Sequence, residues 1–281
     1  MNIILFTDIP KYLSRTDERA LHIRKILKLK SGDVFRAGIL DGPAGEVRII
    51  AADDKGYTLE WTETGPPVGL CPLTVMTGFV RPISAKRILR EAASLGVGRL
   101  IFTVTDTGER SYLESNLWKT GEYRQYLVNG LQTAGATVMP KIDLCRGVQE
   151  ALRSALGDSA YGSVGAAASD TAVETAGGSS DNRAGDPSVD PAGSPAGDPS
   201  GESAARLLLD NISGEGSLSA RNLRDRAVIL AVGSERGWSD REREVFLEAG
   251  FEPILMGSRV LRTETACTAG IALVLQGMGR M

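Results

Sequence analysis

Two stretches decide the fold: Ala227-Val228-Ile229-Leu230-Ala231-Val232-Gly233-Ser234-Glu235-Arg236-Gly237-Trp238-Ser239 and, further on, Pro253-Ile254-Leu255-Met256-Gly257-Ser258-Arg259-Val260-Leu261-Arg262-Thr263-Glu264-Thr265-Ala266. Each opens as a strand-length apolar run, stops at a glycine and continues into a segment able to form a helix. Two strand–loop–helix transitions in succession are the grammar of an α/β sheet. In such sheets ligands sit outside the carboxyl ends of the strands. Glycine at both strand ends lets backbone approach a ligand or turn tightly, so the two loops together form a candidate cofactor site. Ser239 and Glu242 have the spacing of a capping box, which places a helix start at Ser239.

Working outward, the alternation begins near Leu73. A strand over 73–80 precedes a helix from Ser84 to Leu95, with Ser84 read as the N-cap and Gly96 as the stop. A strand over 99–105, a long helix within 114–134 and a strand near 138–144 follow. This order predicts a parallel sheet with helices on both faces. Residues 1–66 read differently. Apolar runs at 3–6, 34–40, 47–52 and 57–61 are separated by turn residues, as in a small β-barrel. One helix, about 17–29, interrupts them, with Leu21, Ile23, Ile26, Leu27 and Leu29 facing a core and Arg24 and Lys28 on another side. Gly65-Pro66-Pro67 reads as a linker, which divides the chain at 1–66 and 73–281.

Residues 155–205 break the alternation. Thirty-four of these fifty-one positions are Ala, Gly, Ser or Pro, and four-residue units such as Asp190-Pro191-Ala192-Gly193 and Asp198-Pro199-Ser200-Gly201 recur. So little apolar surface cannot offset the entropy of ordering, and the stretch is predicted to be a disordered insertion in the second domain. The net charge of −3 divides into −7 over this insertion and +4 over the rest of the chain. Between Lys11 and Arg36 eight bases face three acids, a basic face that permits contact with RNA phosphates. Three well-separated cysteines support neither a disulfide framework nor a metal site. With no apolar run of membrane length and no secretory leader at the N-terminus, the expected location is the cytoplasm. The single histidine, His22, leaves little room for histidine-based catalysis.

The same segments resemble a known family. Gly233 to Ser239 followed by Glu242 looks like the GPEGG(F/W)SxxE motif of the ribosomal RNA small-subunit methyltransferase E family. Leu261-Arg262-Thr263-Glu264-Thr265-Ala266 matches its LRxETA motif at every fixed position. Glu109-Arg110-Ser111 and Leu95-Gly96-Val97 resemble its ERS and ELGV segments. His22 to Lys28 followed by Gly32-Asp33 resembles its HLxxVLR…GD region.

The resemblance implies an N-terminal PUA-like β-barrel and a C-terminal SPOUT α/β domain with a trefoil knot. It implies a homodimer that methylates N3 of one uridine in small-subunit ribosomal RNA, free or assembled, with S-adenosylmethionine as cofactor and no metal or membrane. The cofactor would bind against Val232, Gly233, Glu235, Gly237, Met256, Gly257, Leu261 and Thr263. Arg24, Lys25, Lys28 and Arg110 would meet RNA. Deprotonated uridine N3 spreads charge onto O2 and O4, and a planar guanidinium suits such an anion, so Arg262 is the candidate catalytic group, with Glu264 as the residue that could fix it. A phosphate clamp at Arg262, and helix-dipole complementation by Glu264, are the plainer readings of those two residues. The sequence departs from the family at Ser234 and Arg236, which add bulk to the first loop and reduce its rigidity. It departs again at Leu131 and Gly135, where the family has glutamate and arginine. Those losses motivate an alternative expectation, a ribosome-binding or assembly protein on the same fold with weakened turnover.

Overall fold

The structure, a computed structural model, describes residues 2–157 and 204–281. Strands β1 (Ile4–Phe6), β2 (Tyr12–Ser14), β3 (Val34–Ile39), β4 (Ala44–Ala52) and β5 (Gly56–Gly65) form one sheet in the order β1-β3-β4-β5-β2. β1 pairs parallel with β3 and the remaining pairs are antiparallel. The sheet is a curled half-barrel, and its hydrogen-bonded order ends at β1 and β2 rather than closing. The β4–β5 turn is set by Asp53, whose Oδ1 accepts from Lys55 N at 2.7 Å and Gly56 N at 2.8 Å. Alternation along β1 gives it two roles. Ile4 and Phe6 point into the half-barrel, while Ile3 and Leu5 join the core of the second sheet.

The helix expected over 17–29 is α1 (Glu18–His22), started by the Asp17 side chain and continued as a π turn through Ile23–Leu27. The wider turn advances each residue by less than an α-helix does. Ile26 is therefore turned to solvent at 67% exposure, contrary to its expected place in the core. Lys28 lies beyond the turn with φ +56, so Arg24 and Lys28 are not stacked one helical turn apart.

The second sheet is all parallel. Its strands β6 (Cys71–Gly78), β7 (Val97–Thr103), β8 (Lys141–Cys145), β9 (Ala205–Leu209), β10 (Val228–Val232) and β11 (Glu252–Ile254) run in the order β11-β9-β10-β6-β7-β8. Helices cover both faces. Val228, Leu230 and Val232 of β10 face α2 (Pro82–Ser94), α4 (Tyr123–Ala134) and α7 (Thr263–Gly277), while Ile229 and Ala231 face α5 (Val148–Leu156) and α6 (Asp240–Glu248). Burial on both sides explains why β10 reads as an unbroken apolar run rather than an alternating one.

Several boundaries differ from expectation for local reasons. α2 starts at Pro82, not after Ser84, because proline at the first helical position has the right φ and lacks only an N–H that no carbonyl would have taken. The long helix expected within 114–134 is split into α3 (Asn116–Lys119) and α4, with Gly121 at φ +75 between them. The predicted insertion overreached at both ends, since α5 continues to Leu156 and β9 begins at Ala205; residues 158–203 lie outside the described ones.

α2 and α4 pack closely enough that Gly130 has no room for a side chain. A Cβ there would fall on the Arg90 carbonyl oxygen and within 2.8 Å of Ala93 Cβ. Helix propensity alone would make Gly130→Ala stabilising by up to about 1 kcal/mol. The packing reverses the sign: the variant is expected to lose about 1–3 kcal/mol in urea unfolding. A stability equal to or above the wild type would show that the two helices can separate without cost.

Candidate active site

A cavity of about 710 Å³ opens at the carboxyl ends of β9, β10 and β11. That volume is in the range of small-molecule sites. Its walls include Val232, Gly233, Glu235, Gly237, Met256, Leu261, Arg262, Thr263 and Glu264, so these sequence-predicted residues converge on one place. Gly257 is exposed and does not line it. Arg24, Lys25, Lys28 and Arg110 lie outside the lining, Arg110 on a short 3₁₀ turn capped by Glu109.

The loop after β10 is backbone laid on backbone. A Cβ on Gly233 would come within 2.8 Å of Gly237 Cα and 3.0 Å of Gly237 C. Gly237 adopts φ +72 and its N–H donates to the Ser234 carbonyl at 3.0 Å. The loop in turn presses on β6, where a Cβ on Gly78 would lie 2.8 Å from Ser234 Cβ and 2.9 Å from Ser234 N. Ser234 does not loosen this arrangement as expected. It is buried, receives a hydrogen bond from Thr105 Oγ1 at 3.3 Å and donates to the Gly237 carbonyl at 3.4 Å. Arg236 adds no bulk inside the loop because its side chain is exposed.

Trp238 and Glu242 anchor the far side. Trp238 is buried edge-on against Phe246, with ring centroids 4.6 Å apart. The capping box is complete: Ser239 Oγ accepts from Glu242 N at 3.1 Å and Glu242 Oε2 accepts from Ser239 N at 2.8 Å. Glu242 also reaches across the sheet, Oε1 accepting from Asp106 N at 2.8 Å. Thr107 Oγ1 donates to the Gly237 carbonyl at 3.0 Å, so the loop after β7 is fastened to the loop after β10. Asp106 completes the junction; hydrogen bonds from Arg241 and Ser239 hold its carboxyl below the usual carboxylate range despite partial desolvation.

The acids lining the cavity are all engaged, while three of its five arginines are not. Glu235 Oε1 accepts from Arg81 N at 3.0 Å. Glu264 pairs with Arg87 of α2 at 3.8 Å, not with Arg262. Asp210 binds Arg243, with Nε 2.9 Å from Oδ2. Burial pushes the Asp210 carboxyl up, but hydrogen bonds from Ser213 and Arg243 outweigh it and hold the group below the ordinary value. Arg236, Arg259 and Arg262 line the cavity, are exposed, and make no side-chain hydrogen bond or ion pair among the described residues. The mouth is thus cationic. None of the three cysteines lines the cavity, and burial raises the thiol of each, Cys145 to about 11 and Cys267 to about 12. Among the described residues no group of side chains could hold a metal.

Asp210, Asn211, Ile212 and Arg243 also line the cavity, and the sequence reading missed them. Leu207-Leu208-Leu209 ending at an Asx turn residue, Asp210, was the available signal. The small-residue composition just upstream hid that strand.

This geometry defines an α/β domain with an arginine-rimmed cavity at its strand ends, and the RNA methyltransferase domain model matches the chain over residues 69–176 and 200–275. Ribosomal RNA small subunit methyltransferase E of Treponema pallidum is 33% identical over 98% of this chain and 91% of its own length. The chain belongs to the ribosomal RNA small subunit methyltransferase E family. A probable rRNA methyltransferase from Porphyromonas gingivalis has the same fold, with a TM-score of 0.68, 18% identity and 99% of both chains covered. So has the Neisseria gonorrhoeae family member solved with bound S-adenosylmethionine, with a TM-score of 0.63, 15% identity and 98% and 97% covered.

Glu242→Ala removes the buried acceptor of two part-buried backbone N–H groups, those of Asp106 and Ser239. It is expected to cost about 2–3 kcal/mol of unfolding free energy, whereas the exposed neighbour Glu244→Ala should change it by no more than about 0.5 kcal/mol. Equal effects in the two variants would show that the cross-sheet bond carries no stability.

Proposed function

We propose that the cavity holds S-adenosylmethionine and that the chain methylates N3 of a uridine in small-subunit ribosomal RNA. The observation that carries this reading is the pairing of a cavity lined by the Gly233–Gly237 loop with three arginines at its mouth whose side chains have no partner among the described residues. S-adenosylmethionine supplies an electrophilic methyl group on a sulfonium. A cation is poorly placed to greet that sulfonium, so the arginines are better matched to RNA. Arg262 stands at the N-cap of α7 without capping it, which leaves its guanidinium free to meet either the developing uridine anion or a phosphate. Glu264 contributes through α2 by its pairing with Arg87. Much of the rate would come from holding the methyl donor and N3 in line.

Arg24, Lys25, Lys28 and Arg110 are proposed to hold the RNA through phosphates. Domain limits of 1–66 and 73–281, a trefoil knot through the two glycine loops and a cytoplasmic setting belong to the same proposal. So does a homodimer, in which a second copy covers the exposed Ile212, Val260 and Leu261 at the cavity rim. No helix among the described residues is long and apolar enough to cross a membrane. The alternative without turnover draws on Leu131, which is fully buried in the core, and on Gly135, which caps α4. Two observations weigh against it. The cavity is built, and the guanidinium of Arg36 lies 3.5 Å from where a Gly135 side chain would start, restoring a cation near the missing arginine.

Arg262→Lys keeps the charge and removes the planar fork. If Arg262 serves the base, the variant binds S-adenosylmethionine and RNA nearly as the wild type does, while the single-turnover methylation rate falls by on the order of 10²–10³. Methylation at the wild-type rate would reduce Arg262 to a point-charge contact.

A further inference from the structure

Asp210 directly follows β9, whose last residue, Leu209, pairs with Val232 of β10, and it lines the same cavity as the Gly233 loop. It is 7% exposed and lines the cavity. Its two oxygens are used unequally. Oδ2 takes three donors: Ser213 N at 2.9 Å, Ser213 Oγ, and Arg243 Nε at 2.9 Å. Arg243 is itself held by Asp240, Nη1 to Oδ1, at 2.7 Å. Oδ1 accepts nothing among the described residues, yet it is not one of the sealed-off polar atoms. The result is a carboxylate that three donors keep from turning, with one oxygen left over at the cavity wall. A largely desolvated carboxylate oxygen is costly to leave without a donor.

We propose that Asp210 Oδ1 is the acceptor for the ribose hydroxyls of the nucleoside bound in this cavity. The inference rests on the S-adenosylmethionine reading above and deepens it by assigning a subsite. An acid at the end of the strand next to a glycine loop is the arrangement by which nucleotide-binding α/β sheets hold ribose. The other donors of S-adenosylmethionine that could seek a carboxylate include its α-ammonium. Arg243 already balances the Asp210 charge, so neutral hydroxyls suit the free oxygen better than a second cation. Asp210 would then be a cofactor-binding residue, with Arg243 and Ser213 as its positioning residues.

Calorimetric titration of the full chain and of Asp210→Asn with three probes tests this: S-adenosylmethionine, 5′-methylthioadenosine, and the 2′,3′-dideoxy form of the latter. The expected result is that Asp210→Asn weakens the first two by about ten- to hundredfold, the range for hydrogen bonds to a charged group. The dideoxy probe should bind the wild type more weakly than 5′-methylthioadenosine does, and bind both proteins alike. Weakening of S-adenosylmethionine alone would place the contact at the ammonium and overturn the proposal. Unchanged affinities in Asp210→Asn would leave Asp210 as a structural partner of Arg243 and overturn it too. Should the variant not fold, the wild-type comparison decides: equal binding of the two methylthioadenosines overturns the ribose contact. A wild-type protein that binds neither S-adenosylmethionine nor 5′-methylthioadenosine contradicts the cofactor reading itself, which separates the two failures.

Discussion

The molecule depends on a place where backbone lies directly on backbone. At the end of β10 the Gly233 Cα faces Gly237, and the same loop rests on Gly78 of β6, with spacings that leave no room for a Cβ at either Gly233 or Gly78. Everything functional is arranged around that contact. Because the loop folds onto itself, its glycines bring backbone to the cavity wall, and its Glu235 and Arg236 side chains line the same space. Because it also presses on β6, the wall is tied to the most buried strands of the sheet and inherits their rigidity.

Polar bonds then fasten what close packing alone leaves free. Glu242 spans from the start of α6 to Asp106, and Thr107 reaches the Gly237 carbonyl, so the loops after β7 and β10 are bonded to each other. The electrostatic pattern follows a single logic. Each acid lining the cavity is engaged by a donor or cation on a neighbouring element, while the side chains of Arg236, Arg259 and Arg262 at the mouth have no partner among the described residues. Buried charges have to be compensated within the protein; exposed ones can wait for a polyanionic substrate. Free arginines at the rim and satisfied acids beneath them are what a site for RNA above a small nucleoside would need.

Much of this was legible in the residues. The run Val228–Val232 marks a strand in a sheet covered on both faces, and the glycines after it mark the cavity wall. Ser239 and Glu242 announced α6, although nothing in their spacing showed that Glu242 also bonds across the sheet to Asp106. The readings that failed did so where tertiary context or backbone geometry overrode a local rule. Ser84 was a good cap candidate, but Pro82 claimed the helix start. Ile26 matched an α-helical period, but a π turn rotated it outward. β9 and its Asp210 were hidden because a strand of five residues beside a small-residue tract carries too little signal of its own. The pairing of Glu264 with Arg87 rather than Arg262 was beyond reach, since it depends on how α2 packs against α7.

The central claim is that the closed glycine loop shapes the cofactor cavity, and Gly233→Ala addresses it most directly. A methyl group there must displace Gly237 but leaves the core of both sheets untouched. Calorimetry with S-adenosylmethionine on wild type and variant, with circular dichroism to confirm that both are folded, is the decisive measurement. The account expects a folded variant whose dissociation constant rises at least about tenfold, a loss of roughly 1.4 kcal/mol. A folded Gly233→Ala protein that binds S-adenosylmethionine as tightly as the wild type would contradict it.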